Sequence, residues 1–167
     1  MSRVFLLLGS NKGDRCELLS QACNIIEERC GTITSRSSLY ESEPWGFKAD
    51  IWFLNQAVEL STDKDPYMLM LILLNIEREL GRRRNGIKRG YASRTIDIDI
   101  LYYDKLITTT PELILPHPRL QDRRFVLVPM CQIAPDLVHP LLKATQRELL
   151  EKCTDKSNVR LYKQPQT

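Results

Sequence analysis

The stretch RTIDIDIL, residues 94–101, combines the pattern of a β-strand with two carboxylates. Side chains alternate across a strand, so the three isoleucines share one face while Asp97 and Asp99 share the other. Aspartate is depleted in strands, and propensity therefore explains neither residue. Two like charges about 6.6 Å apart on one strand face favour a bound counter-charge.

A basic segment lies immediately before this strand. Residues 82–94 carry six arginine and lysine side chains and no acid, whereas the whole chain has a net charge of only +3. Aspartates that bind Mg²⁺ and arginines that bind phosphate are the two halves of a nucleotide polyphosphate site. The pattern therefore predicts two Mg²⁺ ions that join Asp97 and Asp99 to a triphosphate.

Other interpretations of the same residues are open. A basic run is often a solvated surface strip, and charged side chains also protect edge strands from aggregation. A two-metal nuclease could use the same aspartates, and an RNA-binding module could place aromatic residues on a sheet. The adjacency of acids and arginines favours phosphate transfer over both.

Length and composition indicate one domain over residues 1–167. The chain is 43% hydrophobic, enough for a compact core. The longest apolar run, YMLMLILLNI at 67–76, falls well short of the roughly 18 residues that span a membrane, and predicts a buried helix. Five cysteines without a CxxC pair, three of them seven residues apart on one helical stripe, indicate reduced thiols and a cytoplasmic location.

The hydrophobic pattern predicts the order strand, helix, strand, strand, helix, strand, which is that of the ferredoxin-like split arrangement. We therefore predict an α+β fold: an antiparallel sheet with helices packed on one face and additions at the C-terminus. The predicted elements are a strand at 4–8, a turn made by Gly9, Ser10, Asn11 and Gly13, a helix at 14–30, an extended segment at 32–42, a loop at 43–50, a strand at 51–60, a helix at 65–80, a strand ending at 103 with a hairpin after it, and helices near 126–133 and after Thr145.

Aromatic and amide side chains predict a site for a flat heterocycle. Phe53 and Asn55 share a face of the strand at 51–60, and a ring plane beside a carboxamide suits such a ligand. Phe125 is a candidate for the opposite face of the ring, although Phe53 and Phe125 are equally consistent with core positions. His117 lies between two prolines, where a single histidine is more often structural than catalytic.

Several motifs, in order, resemble the 6-hydroxymethyl-7,8-dihydropterin pyrophosphokinase family of folate biosynthesis. They are LLLGSN at 6–11, FLNQAV, IERELGRRR, SRTIDIDIL, LPHPRLQDRRFVLVPM and IAPDL, and they cover most of the chain. The resemblance implies transfer of diphosphate from MgATP to the hydroxymethyl group of a reduced pterin, with release of AMP. We further expect a monomer that acts on small molecules, with neither nucleic acid nor a membrane as a partner.

The resemblance further implies roles for individual residues. Asp97 and Asp99 match metal ligands, and with Arg82 and Arg94 they are the predicted catalytic residues. Contacts with ATP are implied for Glu77, Arg82, Arg84, Arg94, His117 and Arg123. Contacts with the pterin are implied for Ser42, Trp45, Phe53, Asn55 and Phe125. A general base is not evident, and Asp97 is only a candidate.

Overall fold

A computed structural model describes residues 1–44, 51–81 and 95–164. The predictions for Trp45, Arg82, Arg84 and Arg94 lie outside the described residues. Within those residues, the longest helices are too short or too polar to cross a membrane.

The elements follow the predicted order, with two short strands where one extended segment was expected. They are β1 (Ser2–Ser10), α1 (Arg15–Arg29), β2 (Thr32–Arg36), β3 (Tyr40–Ser42), β4 (Phe53–Thr62), α2 (Pro66–Glu79), β5 (Asp97–Tyr103), β6 (Thr108–Thr109), β7 (Ile114–Leu115), a 3₁₀ turn (Leu120–Asp122), α3 (Arg124–Ile133), α4 (Gln146–Lys152) and β8 (Val159–Leu161).

The main sheet is antiparallel and has the strand order β5-β1-β4-β3-β8, while β2 pairs with another part of β4. The predicted α+β class with an antiparallel sheet is confirmed. β1 is paired along both edges, with β4 on one side and β5 on the other. β1 is therefore the strand that connects the two halves of the sheet.

Helices cover both faces of the sheet, which corrects the expectation of a single covered face. Val4, Leu6 and Leu8 of β1 pack into a core with α1 and α2. Phe5 and Leu7 point the other way, into a second core formed with α3 and α4. Because β1 is apolar at every position from 4 to 8, it can supply both cores, as expected for a strand buried on both faces.

Local signals correctly placed the helix starts. Asp14 and Asp65 cap α1 and α2 with their side chains, and Thr145 forms a capping box with Glu148 at α4. Two expectations about turns need correction. The predicted turn starts later than expected, because Gly9 and Ser10 belong to β1 and the chain bends at Lys12 and Gly13. The strand that follows Asp104 pairs with β7 instead of returning along β5.

Candidate active site

Asp97 and Asp99 occupy one face of β5, as the alternation predicted. Both are half-buried, whereas the isoleucines between and beside them are buried in the core with α1 and α2. In the register with β1, Asp97 lies opposite Gly9 and Asp99 lies opposite Leu7. Residues paired across strands share a face, so both carboxylates stand on the face that also carries Leu7.

The outer edge of β5 is capped by groups from elsewhere in the chain. The Ile98 N–H donates to Oε1 of Glu77 at 2.8 Å, and the Leu101 carbonyl accepts from the His117 N–H at 2.9 Å. Glu77 is only 3% exposed, which is unusual for a glutamate. β5 is an edge strand, as required if the two aspartates protect the sheet from aggregation. However, Glu77 and His117 already form hydrogen bonds with the exposed backbone edge of β5, so this edge needs less protection by charge.

A cleft of about 590 Å³ opens beside these carboxylates, between α2, β5 and the β6–β7 hairpin. The polar residues that line it are Glu77, Asp97, Asp99, Glu112 and His117. The apolar residues that line it are Met70, Leu73, Leu74, Ile98, Ile100, Pro111, Leu113, Ile114 and Pro118. A cleft that combines apolar walls with a few polar side chains is typical of a small-molecule site.

His117 is held as a neutral ring. Its Nδ1 accepts from the Arg119 N–H at 3.3 Å, which places the ring proton on Nε2. Burial, together with the smaller effect of nearby Arg123, lowers the pKa of His117 to about 4, while Asp97 acts in the opposite direction. At neutral pH the side chain is therefore a hydrogen-bond donor rather than a cation.

Asn55 and Ser42 form a buried polar pair on the neighbouring strands. Asn55 is 2% exposed, and its Nδ2 donates to Oγ of Ser42 at 2.6 Å. Phe53 pairs in register with Ser42 and is half-buried. The structure thus places an aromatic ring and an amide of fixed orientation on one face of β4, as their two-residue spacing predicted, and their role in heterocycle recognition stays a prediction.

The two halves of the site meet across β1. Gly9 lies opposite Asn55 of β4 on one side and opposite Asp97 of β5 on the other. All three positions share a sheet face, and two strand spacings separate Asn55 from Asp97 by about 10 Å.

The third helix, α3, packs on this face of the sheet. α3 packs against β4, and its core includes Ala57, which shares a face with Asn55. Arg123 is the residue that precedes α3 and is 8% exposed, and its guanidinium carbon lies 5.7 Å from the centre of the Phe125 ring. Phe125 is half-buried at the first turn of that helix.

The sequence did not predict the charged cluster of Arg15, Glu41 and Arg160, which adjoins Ser42 and Phe53 in sequence through Glu41 and Trp52. Nη1 of Arg15 donates to Glu41 and to the Trp52 carbonyl, both at 2.9 Å. Arg160 of β8 also donates to Glu41 and lies 4.4 Å above the Trp52 ring. Burial alone would raise the pKa of Glu41, but the hydrogen bonds from the two arginines bring it below its usual value. The partners are too distant in sequence for any local signal to pair them.

The donor set fits magnesium that is shared with a phosphate ligand. Among residues 1–44, 51–81 and 95–164, no group of three or more His, Cys, Asp or Glu side chains is arranged to hold a metal ion. Mg²⁺ in phosphate-transfer sites usually takes one or two carboxylates and completes its shell with substrate phosphates and water. Asp97 and Asp99 supply such a pair in the lining of the cleft.

Comparison with known proteins gives a consistent result. A family model described as 7,8-dihydro-6-hydroxymethylpterin-pyrophosphokinase (HPPK) matches residues 5–135. A protein of Methylorubrum extorquens named 2-amino-4-hydroxy-6-hydroxymethyldihydropteridine pyrophosphokinase is 41% identical over 153 residues, which are 91% of this chain and 94% of the relative. A protein of Porphyromonas gingivalis with the same name is 45% identical over 143 residues, 84% of this chain and 95% of the relative.

Solved structures agree at the level of the fold. The Plasmodium falciparum HPPK-DHPS wild type with pteroate has a TM-score of 0.74 and 17% sequence identity, over 90% of this chain and 42% of that one. This chain therefore spans less than half of that solved protein, and the likeness concerns the architecture alone.

Proposed function

The chain belongs to the 7,8-dihydro-6-hydroxymethylpterin-pyrophosphokinase family, and on that premise we propose which of its side chains bind the pterin and which bind the nucleotide. The protein is an ATP-dependent diphosphotransferase. It transfers diphosphate from ATP to the hydroxymethyl group of 6-hydroxymethyl-7,8-dihydropterin, with release of AMP, in folate biosynthesis.

One observation supports the assignment of a pterin end at Asn55 and a nucleotide end at Asp97. Asn55 and Asp97 lie on the same face of the sheet, one strand to either side of Gly9. A heterocycle bound at Asn55 and a triphosphate bound at Asp97 would therefore meet above β1. The reaction needs this arrangement, because the attacking oxygen belongs to the pterin and the phosphorus belongs to ATP.

The pterin end is assigned to residues of β3, β4 and α3. Asn55, held in orientation by Ser42, reads the polar edge of the ring. Phe53 and Phe125 are assigned to the two ring faces because both are half-buried and border the same sheet face. Trp45 is assigned to the same end from the family resemblance.

The nucleotide end is assigned to the cleft beside β5. Its apolar walls suit the base, and Asp97 and Asp99 lie where the phosphates would be. His117 donates Nε2–H to a phosphate oxygen, and Arg123 supplies positive charge nearby. Glu77 lines the same end, and the family resemblance adds Arg82, Arg84 and Arg94 as phosphate ligands.

The reaction is an in-line displacement. The hydroxymethyl oxygen of the pterin forms a bond to the β-phosphorus of ATP and releases its hydroxyl proton to water, the bond from that phosphorus to the oxygen that bridges it to the α-phosphorus breaks, and AMP leaves with that oxygen. Two Mg²⁺ ions bound at Asp97 and Asp99 would neutralise phosphate charge and orient the β-phosphorus. The protein side chains contribute alignment and electrostatic stabilisation.

We also infer a single pyrophosphokinase domain over residues 1–167 that acts as a cytoplasmic monomer. All five cysteines are free thiols, which supports a reducing compartment. Sedimentation at catalytic concentrations tests the monomer, and a stable dimer would contradict it.

The decisive experiment combines Asp97→Ala with the surface control Asp136→Ala, whose carboxylate is 84% exposed. Each protein is incubated with MgATP and 6-hydroxymethyl-7,8-dihydropterin, and AMP is measured against pterin diphosphate. The wild type and the control are expected to form the two products in equal amounts. Asp97→Ala should lose about a thousandfold or more in rate. Near-normal turnover in a folded Asp97→Ala protein would refute the metal role.

A further inference from the structure

We propose that residues 155–162 form a strap that positions the pterin end of the site, because they tie the start of α3, which carries Phe125, to β3, which carries Ser42. This assignment rests on the proposed function and adds positioning residues to it. The family model matches residues 5–135, so the strap lies beyond the matched residues.

The first anchor of the strap is the carboxylate of Asp155 at the start of α3. Its Oδ2 accepts the Arg124 N–H at 3.0 Å. Arg123, which precedes the helix, has a side chain without an acceptor, so Asp155 supplies from a distant segment the oxygen that a helix start needs. Oδ1 of Asp155 accepts from the N–H and the hydroxyl of Ser157 at 2.9 and 2.6 Å. Burial would raise the pKa of Asp155, but the hydrogen bonds from Ser157 and Arg124 bring it below its usual value, so the carboxylate is ionised at neutral pH.

The second anchor of the strap is β8, which lies at the edge of the sheet beside β3. Val159 pairs with Ser42 in register. One residue further along each chain, the Asn158 N–H donates to Oε1 of Glu43 at 2.6 Å. Ser42, whose Oγ accepts from Asn55, is therefore held between β4 on one side and the strap on the other.

The charged cluster holds the strap to the opposite face of the sheet. The two carboxylate oxygens of Glu41 accept from Arg15 of α1 and Arg160 of β8, each at 2.9 Å, and the Glu41 side chain is only 15% exposed. The same two arginines contact Trp52, one at its carbonyl and the other over its ring. Trp52 directly precedes Phe53, so this cluster also fixes the start of β4.

Recognition of the pterin needs such a link, because the two aromatic residues assigned to its ring faces belong to different elements. Stacking is favourable only while ring centres lie within about 4.5 to 7 Å, so Phe53 of β4 and Phe125 of α3 must keep a fixed separation. α3 contacts both β3 and β8. Only three residues separate Asp155 from Val159, and this link spans at most about 14 Å. A shift of either anchor is therefore passed to the other.

The first test compares Asp155→Ala and Glu41→Ala with the matched control Glu59→Ala. Glu59 lies on β4 away from Asn55, its carboxylate also accepts hydrogen bonds from an arginine, and its side chain is 18% exposed. The measurements are urea unfolding, the KM values for both substrates, and the Kd of the pterin with and without a nonhydrolysable ATP analogue.

The two strap variants should raise the Kd and KM of the pterin by about fivefold or more, the effect of one lost hydrogen bond. Their affinity for the nucleotide analogue should remain that of the wild type. Glu59→Ala should lose stability as Glu41→Ala does, without weaker pterin binding. Wild-type pterin affinity in both folded strap variants, or an equal loss of affinity in Glu59→Ala, would overturn the proposal.

A double variant distinguishes one strap from two independent supports. If the strap acts only while both ends are attached, then Asp155→Ala combined with Glu41→Ala should weaken pterin binding little more than either change alone. Fully additive losses would contradict the proposal. If Asp155→Ala does not fold, Ser157→Ala takes its place, because it removes only the hydroxyl that donates to Asp155. It should raise the Kd of the pterin by about threefold, and an unchanged Kd would overturn the proposal. A wild type that forms no AMP would instead refute the proposed function itself.

Discussion

Removal of the Glu77 carboxylate is expected to damage the proposed metal site through the backbone of β5. Oε1 of Glu77 accepts the Ile98 N–H at 2.8 Å, and both residues are buried. Ile98 lies between Asp97 and Asp99, so this hydrogen bond holds the segment that sets the spacing of the two carboxylates. Glu77→Ala leaves the N–H without this acceptor at a covered edge of the sheet.

The structure sets the size of the effect. A buried hydrogen bond to a charged group contributes about 1.5 to 3 kcal/mol, and an unsatisfied buried donor costs a similar amount. We expect Glu77→Ala to lower the free energy of unfolding by about 2 kcal/mol. Glu77→Gln keeps an oxygen acceptor in the same position and should lose about 1 kcal/mol or less. If the less ordered carboxylates bind Mg²⁺ with about 1.4 kcal/mol less free energy, the Mg²⁺ concentration for half-maximal rate rises about tenfold.

The assay measures AMP formation against Mg²⁺ concentration at saturating ATP and pterin, alongside urea unfolding of the same samples. Glu77→Ala should require more Mg²⁺, and Glu77→Gln should remain close to the wild type. A different result would refute the reasoning: if both variants keep the stability of the wild type but lose activity equally, the carboxylate acts by its charge on the nucleotide rather than by holding the strand.

Two further predictions concern stability. Burial holds the pKa of His117 at about 4, below its ordinary 6.5, so the unfolded chain binds more protons between these values and stability falls as the pH drops through this window. Urea unfolding should show a loss of about 2.5 kcal/mol between pH 7.5 and pH 4.5 that His117→Gln removes, and equal pH dependence in the two proteins would contradict this. Gly31→Ala places a Cβ against the Ser61 carbonyl oxygen at φ +156° and should lower the free energy of unfolding by about 3 kcal/mol or more. Gly13→Ala places its Cβ 3.7 Å from Leu18 Cδ1, which is an ordinary contact, and should lower the free energy of unfolding by about 1 to 2 kcal/mol. Equal melting temperatures for the two glycine variants would be inconsistent with this account.

The parts of the fold that the sequence predicted depend on near neighbours. Alternation in RTIDIDIL places the two carboxylates on one face because the period of a strand is two residues. Asp14, Asp65 and Thr145 were recognised as helix caps because a cap bonds to N–H groups two or three residues ahead. The two-residue spacing of Phe53 and Asn55 likewise placed them on a common face.

The parts that were missed depend on contacts between distant segments. A glycine after an apolar run is read as a turn, and only the register with β4 and β5 shows that Gly9 continues the strand. The pairing of Arg15 and Arg160 with Glu41 spans 26 and 119 residues, and no periodicity within one element predicts it. The second covered face of the sheet was also missed, because the face on which α3 packs depends on the arrangement of the whole sheet.

The register of β1 also explains why a site with so little covalent chemistry is built on the most buried strand. Transfer of diphosphate depends on the distance between an oxygen of one substrate and a phosphorus of another, and an error of about 1 Å can cost a hundredfold in rate. Asn55 and Asp97 are placed by their strand pairings with Gly9, and β1 is fixed along both edges and covered on both faces. With the substrates bound as proposed, their separation would be set by hydrogen-bonded backbone rather than by side-chain rotamers. Mutations that loosen β1 should therefore reduce kcat before they reduce the affinity for either substrate alone.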